Sequence, residues 1–258
     1  MKKNGIYLTI AIPCYNEENN LKKGVLANIR SYLTKKHFGW EVIISDDGST
    51  DKSRDFVKKQ IRLWKNFRLL ENAHGGKPSA LWHAVKSSKG EYILFTDMDQ
   101  STPISQLSKL LPFAEDFDAV IGSRGLARKN FPAYRKLGAF VFATFRKALV
   151  LPSINDTQCG FKLFKKAVAL TVFPKLEFFK TRRKVKGWSV TSWDVEFLFI
   201  MQRLGLTIKE VVVDWSDQDA SISKGGALFR YFKESKDMVA QIIRVRINSL
   251  RGLYDFSD

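Results

Sequence analysis

The first half of the chain alternates short apolar runs with longer segments in which apolar residues recur at helical spacing. The short runs predict β-strands at residues 6–12, 40–45, 67–72, 91–96 and 118–123. The segments between them predict α-helices at 17–33, 51–64, 77–88 and 104–114. Continuous apolar strands separated by helices are typical of a mostly parallel sheet covered on both faces. The pattern therefore predicts a doubly wound α/β fold.

The second half of the chain is less regular. Its pattern predicts strands at 160–164 and 206–215, and helices at 134–150, 193–205 and 227–253. Segment 173–188 is basic and aromatic, and segment 216–226 has the composition of a flexible loop. We therefore expect an α/β domain over residues 1–215, followed by a loop and a basic amphipathic helix over residues 216–258.

Polar clusters follow the predicted strands of the first half. They read PCYNE (13–17), DDGST (46–50), ENAHGGK (71–77), DMDQ (97–100) and GSR (122–124). In parallel α/β sheets, ligands bind in the crevice at the carboxyl ends of the strands. Because the topology brings these clusters to one edge of the sheet, we expect them to form a single site.

The DMD cluster is a candidate metal site. Asp97 and Asp99 lie one residue apart directly after an apolar strand. Mg²⁺ and Mn²⁺ prefer oxygen ligands and typically take one or two carboxylates together with substrate phosphates. The alternative interpretation is a capped turn before Pro103. The position on the same edge as DDGST favours the metal site.

Two loops are candidates for nucleotide contacts. Asp46 or Asp47 can accept a hydrogen bond from a base N–H, while Ser49 or Thr50 is placed to cap the helix that follows. Asn16 is similarly placed to cap the helix at 17–33.

The HGGK loop offers backbone amides and Lys77 to a phosphate, although an ordinary strand-to-helix loop explains the same residues. His74 and His83 have no partner at a suggestive spacing, and their residue type predicts a structural or surface role.

Composition and charge narrow the class of partner. The 258 residues carry 43 Lys and Arg against 26 Asp and Glu, a net charge of +17, which indicates an anionic partner. Segment 173–188 could bind RNA, but no known nucleic-acid motif is visible and an anionic membrane attracts the same charge. The two cysteines form no disulfide framework, so a reducing compartment is expected.

No apolar stretch approaches the roughly 20 residues that span a bilayer. The longest candidate, LGAFVFATFRKALVL, is interrupted by Arg146 and Lys147. We therefore expect a protein that is soluble or peripherally bound to a membrane.

Six stretches in this order resemble the family-two glycosyltransferases with a GT-A fold. They are AIPCYNEENNL, VIISDDGSTDKS, GGKPSALWHAV, GEYILFTDMDQSTP, AVIGSR and DTQCGFKLF. The resemblance covers about residues 6–215. Within this family, the chain most resembles the polyprenyl-phosphate sugar transferases, especially the dolichyl-phosphate β-glucosyltransferases. The most specific parts of the resemblance are DTQCGFKLF and the pair WDVEFLF and KEVVVDW. The chain departs from the family pattern in reading GKP where relatives read GKG, and DMDQ where they read DADG or DADLQ.

The resemblance implies roles for individual residues. Those implied to contact the nucleotide base and ribose are Pro13, Tyr15, Glu17 and Asp46. Asp97 and Asp99 would hold the metal, Mg²⁺ or Mn²⁺, and the diphosphate, and Arg124 would neutralise phosphate. Asp156 and Asp194 are candidates for the reaction centre. The residues implied to line the sugar and acceptor pocket, beside Asp156, are Gln158, Cys159, Gly160 and Phe161.

The expected activity is an inverting transfer of glucose from UDP-glucose to a polyprenyl phosphate. The alternatives are mannose from GDP-mannose, a saccharide acceptor on the same fold, or a basic nucleotide- or RNA-binding protein without catalysis. We expect no nucleic-acid partner. A lipid acceptor favours peripheral attachment to the cytoplasmic face of an anionic membrane. Three segments that mix basic and apolar residues favour the same attachment, or contact with a partner membrane protein: 134–150, 173–188 and 227–253.

Overall fold

One mixed sheet organises the fold. The computed structural model describes residues 5–125, 142–180, 193–218 and 227–256, with the backbone alone for 227–235. Within these ranges seven strands form a sheet in the order β3-β2-β1-β4-β6-β5-β7. The strands are β1 Ile6–Cys14, β2 Gly39–Asp46, β3 Phe67–Glu71, β4 Tyr92–Phe95, β5 Ala119–Ser123, β6 Lys162–Lys165 and β7 Ile208–Val212. Only β6 runs antiparallel to its neighbours, so the predicted mostly parallel sheet is confirmed.

Helices cover both faces of this sheet. They are α1 Glu18–Leu21, α2 Val25–Leu33, α3 Ser53–Ile61, α4 Lys77–Ser87, α5 Leu107–Leu110, α6 (142–149), α7 Lys166–Val172, α8 Glu177–Lys180, α9 Trp193–Arg203 and α10 Ala227–Leu250. The helix predicted at 17–33 is two helices, because Gly24 adopts φ 78°, a left-handed conformation that favours glycine. The helix predicted at 104–114 contains only one α-helical turn, α5, between two short 3₁₀ segments.

The predicted helix caps are wrong. The cap position of α1 is Glu17 and that of α3 is Lys52, and neither makes a side-chain cap bond. Asn16 instead accepts the N–H of Thr50 at 2.8 Å, while the Ser49 hydroxyl accepts the N–H of Asn16 at 3.0 Å. These side chains tie the loop after β1 to the loop after β2, so their oxygens bond to the neighbouring loop instead of capping the helix that follows their own loop.

Two buried clusters flank the sheet because successive strand residues point to opposite faces. Ala11, Ile43 and Ile93 pack with residues of α4, α7 and α9 on one face. Ile10 and Ile44 pack with residues of α2, α3 and α5 on the other face. The sheet is therefore covered on both sides, and its polar loops are confined to its edges.

The C-terminal helix α10 packs on α9 through apolar and polar contacts. Ile242 and Val245 are fully buried in the same cluster as the α9 core. Beside them, Glu196 of α9 accepts hydrogen bonds from the Tyr254 hydroxyl at 3.0 Å and from Arg244 of α10 at 3.3 Å. The proposed division of the chain at residue 215 stays a prediction.

Replacing Glu196 with glutamine is expected to flatten part of the pH dependence of stability. Burial raises the pKa of Glu196 above its ordinary value, although the Glu177 N–H, Arg244 and the Tyr254 hydroxyl oppose the rise. The folded state therefore holds the proton to higher pH than the unfolded state does. The stability that this proton contributes is full below the ordinary glutamate pKa and is lost as pH rises through the raised one.

Thermal unfolding from pH 4 to 7 measures this effect. The Tm of the Glu196→Gln variant minus that of the wild type should increase as pH rises. A difference that is constant with pH, or that falls, would contradict the raised pKa.

The three basic segments predicted to face a membrane differ in what they expose. Arg146 of α6 is 2% exposed and donates to the carbonyls of Ile154 and Asn155 at 2.9 Å, so it is not part of a basic surface. Residues 134–141 and 181–188 lie outside the described residues, as do residues 219–226 of the predicted loop. Among the described helices, none combines the length and the apolar character needed to cross a bilayer.

Candidate active site

The predicted site lies at the carboxyl edge of the sheet. Strands β1, β2, β4 and β5 run in the same direction, so the residues that follow Cys14, Asp46, Phe95 and Ser123 meet at this edge. Because β6 is antiparallel, it begins where those strands end. Residues 156–161, which precede β6, are thereby brought to the same edge. The sequence did not predict this reversal.

A cleft that is partly open to solvent lies at this edge. It is lined by Pro13, Lys77, Leu81, Phe95, Thr96, Asp97, Gly160, Lys162, Trp193 and Asp194. Four of these, Pro13, Lys77, Asp97 and Gly160, are residues that the sequence assigned to the donor or acceptor site, and Asp194 was a candidate for the reaction centre. The cleft thus brings together side chains that are far apart in sequence.

Three ion pairs lie at this edge of the sheet, two of them between residues that line the cleft. Lys77 Nζ lies 2.6 Å from Asp97 Oδ1, Arg124 Nε lies 2.7 Å from Asp156 Oδ2, and Lys162 Nζ lies 3.1 Å from Asp194 Oδ2. Buried charges are costly unless they are paired and hydrogen-bonded. Pairing therefore allows six charged groups to share a largely buried site.

Asp97 is held in its ionised form. Burial alone would raise its pKa, but the ammonium of Lys77, with smaller effects of Lys162 and Arg124, lowers the pKa below its ordinary value. Its other oxygen, Oδ2, lies against Gly160, where a Cβ atom would be only 2.0 Å away. The loop before β6 therefore approaches Asp97 as closely as a glycine allows.

Arg124 is fixed by the loop before β6. Its Nε and Nη2 donate to the two oxygens of Asp156 at 2.7 and 2.8 Å, and its backbone N–H donates to Oδ2 at 3.0 Å. Burial alone would lower the pKa of Arg124, but Asp156 raises it by more, so the pKa lies above its ordinary value. The guanidinium also lies 5.6 Å from the ring centroid of Trp215. Asp156 thus positions Arg124, a contact that no sequence spacing indicated.

The two aspartates at the end of β2, Asp46 and Asp47, have different environments. Asp47 is fully buried and accepts the N–H groups of Gly75 and Gly76 at 2.9 and 2.8 Å. Oδ1 of Asp46 accepts from Arg54 at 2.5 Å and from the backbone N–H groups of residues 48 and 49. Oδ2 of Asp46 is buried and has no hydrogen-bond partner in the described part of the chain. Because a buried acceptor is costly to leave unpaired, this oxygen suits a donor group on a ligand.

The residues predicted to contact the nucleotide lie beside Asp46. Tyr15 stacks on His74, with ring centroids 4.7 Å apart and planes 25° apart. Glu17 accepts from Asn20 at 2.7 Å at the start of α1. Sequence reasoning gave His74 only a structural or surface role and missed its contact with Tyr15.

The predicted acceptor residues differ in their surroundings. Gly160 lines the cleft, whereas Phe161 and the thiol of Cys159 are buried in the core below it. Gln158 donates its backbone N–H to Asp156 at 3.0 Å. The carbonyl of Cys159 accepts from Lys162, which is 2% exposed and was missed by sequence reasoning. Its only sequence signal is a lysine inside a short apolar strand.

The chemistry of Asp97 and Asp99 fits a divalent cation that a substrate completes. Both offer carboxylate oxygens, and Oδ1 of Asp99 accepts the Ser101 N–H at 2.8 Å, which fixes its orientation. The described residues contain no cluster of three His, Cys, Asp or Glu side chains able to enclose a metal. Mg²⁺ is commonly held by one or two carboxylates together with substrate phosphates rather than by an all-protein cage.

An α/β sheet with paired carboxylates, cations and an orphan acceptor at its carboxyl edge is typical of an α/β enzyme that binds its ligand at that edge. Residues 9–173 match the family described as "Glycosyl transferase family 2". The chain belongs to glycosyl transferase family 2, and it is a glycosyltransferase.

Relatives of known name are similar over most of the chain. The dolichyl-phosphate beta-glucosyltransferase of Dictyostelium discoideum is 31% identical over 271 residues, which cover 97% of this chain and 77% of that protein. The protein of the same name from Homo sapiens is 30% identical, covering 93% of this chain and 75% of the human protein. The resemblance seen in the sequence is confirmed.

Solved structures share the fold at lower identity. Glucosyl-3-phosphoglycerate synthase from Mycobacterium tuberculosis, in complex with Mn²⁺, UDP and glucosyl-3-phosphoglycerate, gives a TM-score of 0.60 at 18% identity, covering 95% of this chain and 81% of that one. Mannosyl-3-phosphoglycerate synthase from Rubrobacter xylanophilus gives a TM-score of 0.64 at 12% identity, covering 98% of this chain and 76% of that one. The GT-A fold predicted from the sequence is confirmed.

Proposed function

We propose that the protein transfers glucose from UDP-glucose to a polyprenyl phosphate with inversion at the sugar carbon. The observation that carries the proposal is its likeness to dolichyl-phosphate beta-glucosyltransferases over nearly the whole chain. The cleft supports it because a nucleoside diphosphate sugar needs a base acceptor, cations for the diphosphate and a carboxylate pair for a metal. All of these occur at one edge of the sheet.

Asp46, Tyr15, Glu17 and Pro13 are proposed to bind the nucleoside. The buried Oδ2 of Asp46 would accept the imide N–H of uracil, which is the kind of donor that it lacks. Tyr15 would contribute its ring face, because stacking on aromatic rings is favourable for every base. Pro13 lies near the end of β1, and Glu17 lies between β1 and α1, at the same edge of the sheet.

Asp97 and Asp99 would hold Mg²⁺ or Mn²⁺ together with the donor diphosphate. When bound, such a cation stabilises the negative charge that develops on the departing nucleotide. Lys77, which lines the cleft, and Arg124, which lies close enough to lower the pKa of Asp97, add positive charge that preorganises the site for the diphosphate. As the diphosphate enters, Lys77 would exchange its contact with Asp97 for a phosphate oxygen.

A phosphate acceptor reduces the need for a general base. A phosphate monoester has a second pKa of about 6, so it is largely dianionic at neutral pH and is already a nucleophile. Asp194 and Asp156 are then proposed to orient groups rather than to remove a proton. Asp194 is paired with Lys162, and Asp156 is paired with Arg124. Gly160 and Gln158 would meet the sugar and acceptor, while Cys159 and Phe161 support that loop from the core.

Nucleotide release by the purified protein tests the proposal. UDP-glucose and GDP-mannose are offered separately with Mn²⁺, each with polyprenyl phosphate, with a soluble saccharide or with no acceptor. Release of UDP that requires the lipid phosphate is the expected result. Dependence on GDP-mannose would overturn the glucose assignment, and equal release with a saccharide would overturn the lipid acceptor. An Arg124→Lys variant, which keeps the charge but not the two-point contact with Asp156, should be slower.

The exposed face of α10 is proposed to lie on an anionic membrane at its cytoplasmic face. Val239, Ile243, Ile247 and Leu250 are exposed by 36 to 72% and recur at helical spacing. The exposed basic residues on the same face are Lys236 and Arg246, with Arg251 just beyond the helix. An apolar stripe flanked by basic residues fits the interface of an anionic bilayer.

Replacing Leu250 with serine is expected to weaken binding to anionic vesicles about tenfold, because a buried leucine contributes ~1.5–3 kcal/mol. Leu63, which is 85% exposed just after α3 and is not part of α10, supplies the matched control, Leu63→Ser. Sedimentation with phosphatidylglycerol vesicles measures the change. Equal binding of the wild type, Leu250→Ser and Leu63→Ser to the vesicles would overturn the membrane role. If the wild type does not bind vesicles at all, the result would favour a membrane protein, rather than lipid, as the partner that covers the stripe.

A further inference from the structure

His74 has a more specific environment than a surface histidine requires. It lies in the loop between β3 and α4, and its ring stacks on Tyr15 with centroids 4.7 Å apart. The interplanar angle of 25° makes this a face-to-face contact rather than an edge contact. Tyr15 comes from the loop after β1, so the contact joins two loops of the site.

The His74 ring is anchored along one edge. Its Nδ1 lies 2.9 Å from Oδ2 and 3.0 Å from the backbone oxygen of Asp47. Both atoms are acceptors, so Nδ1 carries the proton and donates. Asp47 is fully buried and is itself held by the N–H groups of Gly75 and Gly76. The ring plane of His74 is therefore fixed by a carboxylate that cannot move freely.

The same backbone connects this stack to Asp46. The N–H of Asp47 donates to the carbonyl of Cys14 at 2.8 Å, which places Tyr15 beside the pair of aspartates. Gly48 has φ 80°, and a Cβ atom there would lie 2.9 Å from the backbone nitrogen of His74. The loop after β2 thus packs directly against His74. The Tyr15–His74 stack is therefore linked, through Asp47 and the backbone, to the residue that carries the orphan oxygen, Asp46.

We propose that His74 is a positioning residue for the donor nucleobase, which acts by holding the Tyr15 ring in the plane that the base meets. This inference rests on the proposed function, since it takes Tyr15 and Asp46 as contacts of the base. A ring held at a fixed distance from the Asp46 oxygen sets the width available between stacking surface and acceptor. His74 would therefore contribute to the choice of uracil over the larger guanine.

Calorimetric titration with UDP and with GDP, both in the presence of Mn²⁺, tests the role without any acceptor or turnover. His74→Ala should weaken UDP binding about five- to tenfold, because the Tyr15 ring loses the aromatic partner that holds its plane. It should also narrow the preference for UDP over GDP. His74→Phe keeps the stack and should restore most of the affinity, whereas His74→Gln keeps a donor for Asp47 but no ring and should not.

The other two histidines supply matched controls. His37 is exposed after α2 and His83 is partly buried on α4, and among the described residues neither ring stacks on Tyr15 as that of His74 does. His37→Ala and His83→Ala should bind UDP like the wild type. Thermal unfolding of each variant separates a folding defect from a binding defect.

Two results would overturn the inference about His74 while leaving the proposed function intact. One is unchanged UDP affinity and base preference in His74→Ala. The other is a loss of affinity that accompanies a large fall in Tm and that His74→Phe fails to restore, which would make the role structural. A wild-type protein that binds neither nucleotide would instead overturn the proposed function, and the inference with it.

Discussion

Replacing Asp99 with asparagine is expected to lower kcat/KM about 100- to 1,000-fold, because a metal that stabilises transition-state charge contributes several kcal/mol. Asparagine keeps the oxygen that accepts the Ser101 N–H, so the loop should keep its conformation. Asp97→Asn should be at least as slow, since it also leaves Lys77 without its carboxylate. Initial rates with increasing Mn²⁺ measure both effects, and EDTA should abolish the wild-type rate until Mn²⁺ is restored.

Asp118 provides the control for these variants. It is also paired with a lysine, Lys165, at 3.2 Å, but it lies at the start of β5, far along the strand from the carboxyl edge. Asp118→Asn therefore removes an ion pair without removing a proposed metal ligand. If Asp118→Asn lowers kcat/KM as much as Asp99→Asn does, the loss reflects general electrostatics. A fully active Asp99→Asn enzyme would contradict the metal role directly.

Replacing Gly160 with alanine is expected to lower kcat/KM about 100-fold. The added methyl group would lie 2.0 Å from Oδ2 of Asp97, and real contacts of this kind require about 3 Å or more, so one partner must shift. The Asp97 carboxylate lies at the cleft and can swing aside, which moves it from its productive position. A displacement of about 1 Å in a positioned group can cost 100-fold in rate.

Gly5→Ala is the matched control for this substitution, because no atom lies within 4 Å of its added methyl group. Both variants should fold, as judged by circular dichroism and Tm. The Mn²⁺ concentration that gives half-maximal rate should rise in Gly160→Ala and stay constant in Gly5→Ala. A Gly160→Ala enzyme with wild-type metal dependence and rate would show that the close approach to Asp97 has no role in catalysis.

The sequence was informative wherever structure is local or where topology has few alternatives. The strands at the predicted positions follow from apolar runs, and the carboxyl-edge site follows from the parallel order of β1, β2 and β4. The family resemblance located Gly160 in the site before any geometry was known. The individual site roles stay predictions.

The rest depended on contacts between distant segments. The direction of β6 is a property of the whole sheet, and nothing in KLFK encodes it. The caps were wrong because Asn16 and Ser49 bond across loops rather than within their own helices. His74 and Lys162 were missed for the same reason, since their partners Tyr15, Asp47 and Asp194 are close only in the folded chain.

The three ion pairs at the carboxyl edge of the sheet also affect how the rate of this enzyme should depend on ionic strength. Each cation there already has a carboxylate at 2.6 to 3.1 Å, so the cleft itself projects little net field into solvent. The excess of +17 must therefore come mainly from residues outside the cleft, and salt screens exposed charges within ~10 Å at 0.1 M. Added salt should thus slow the arrival of an anionic membrane or donor more than it weakens contacts once the donor is seated.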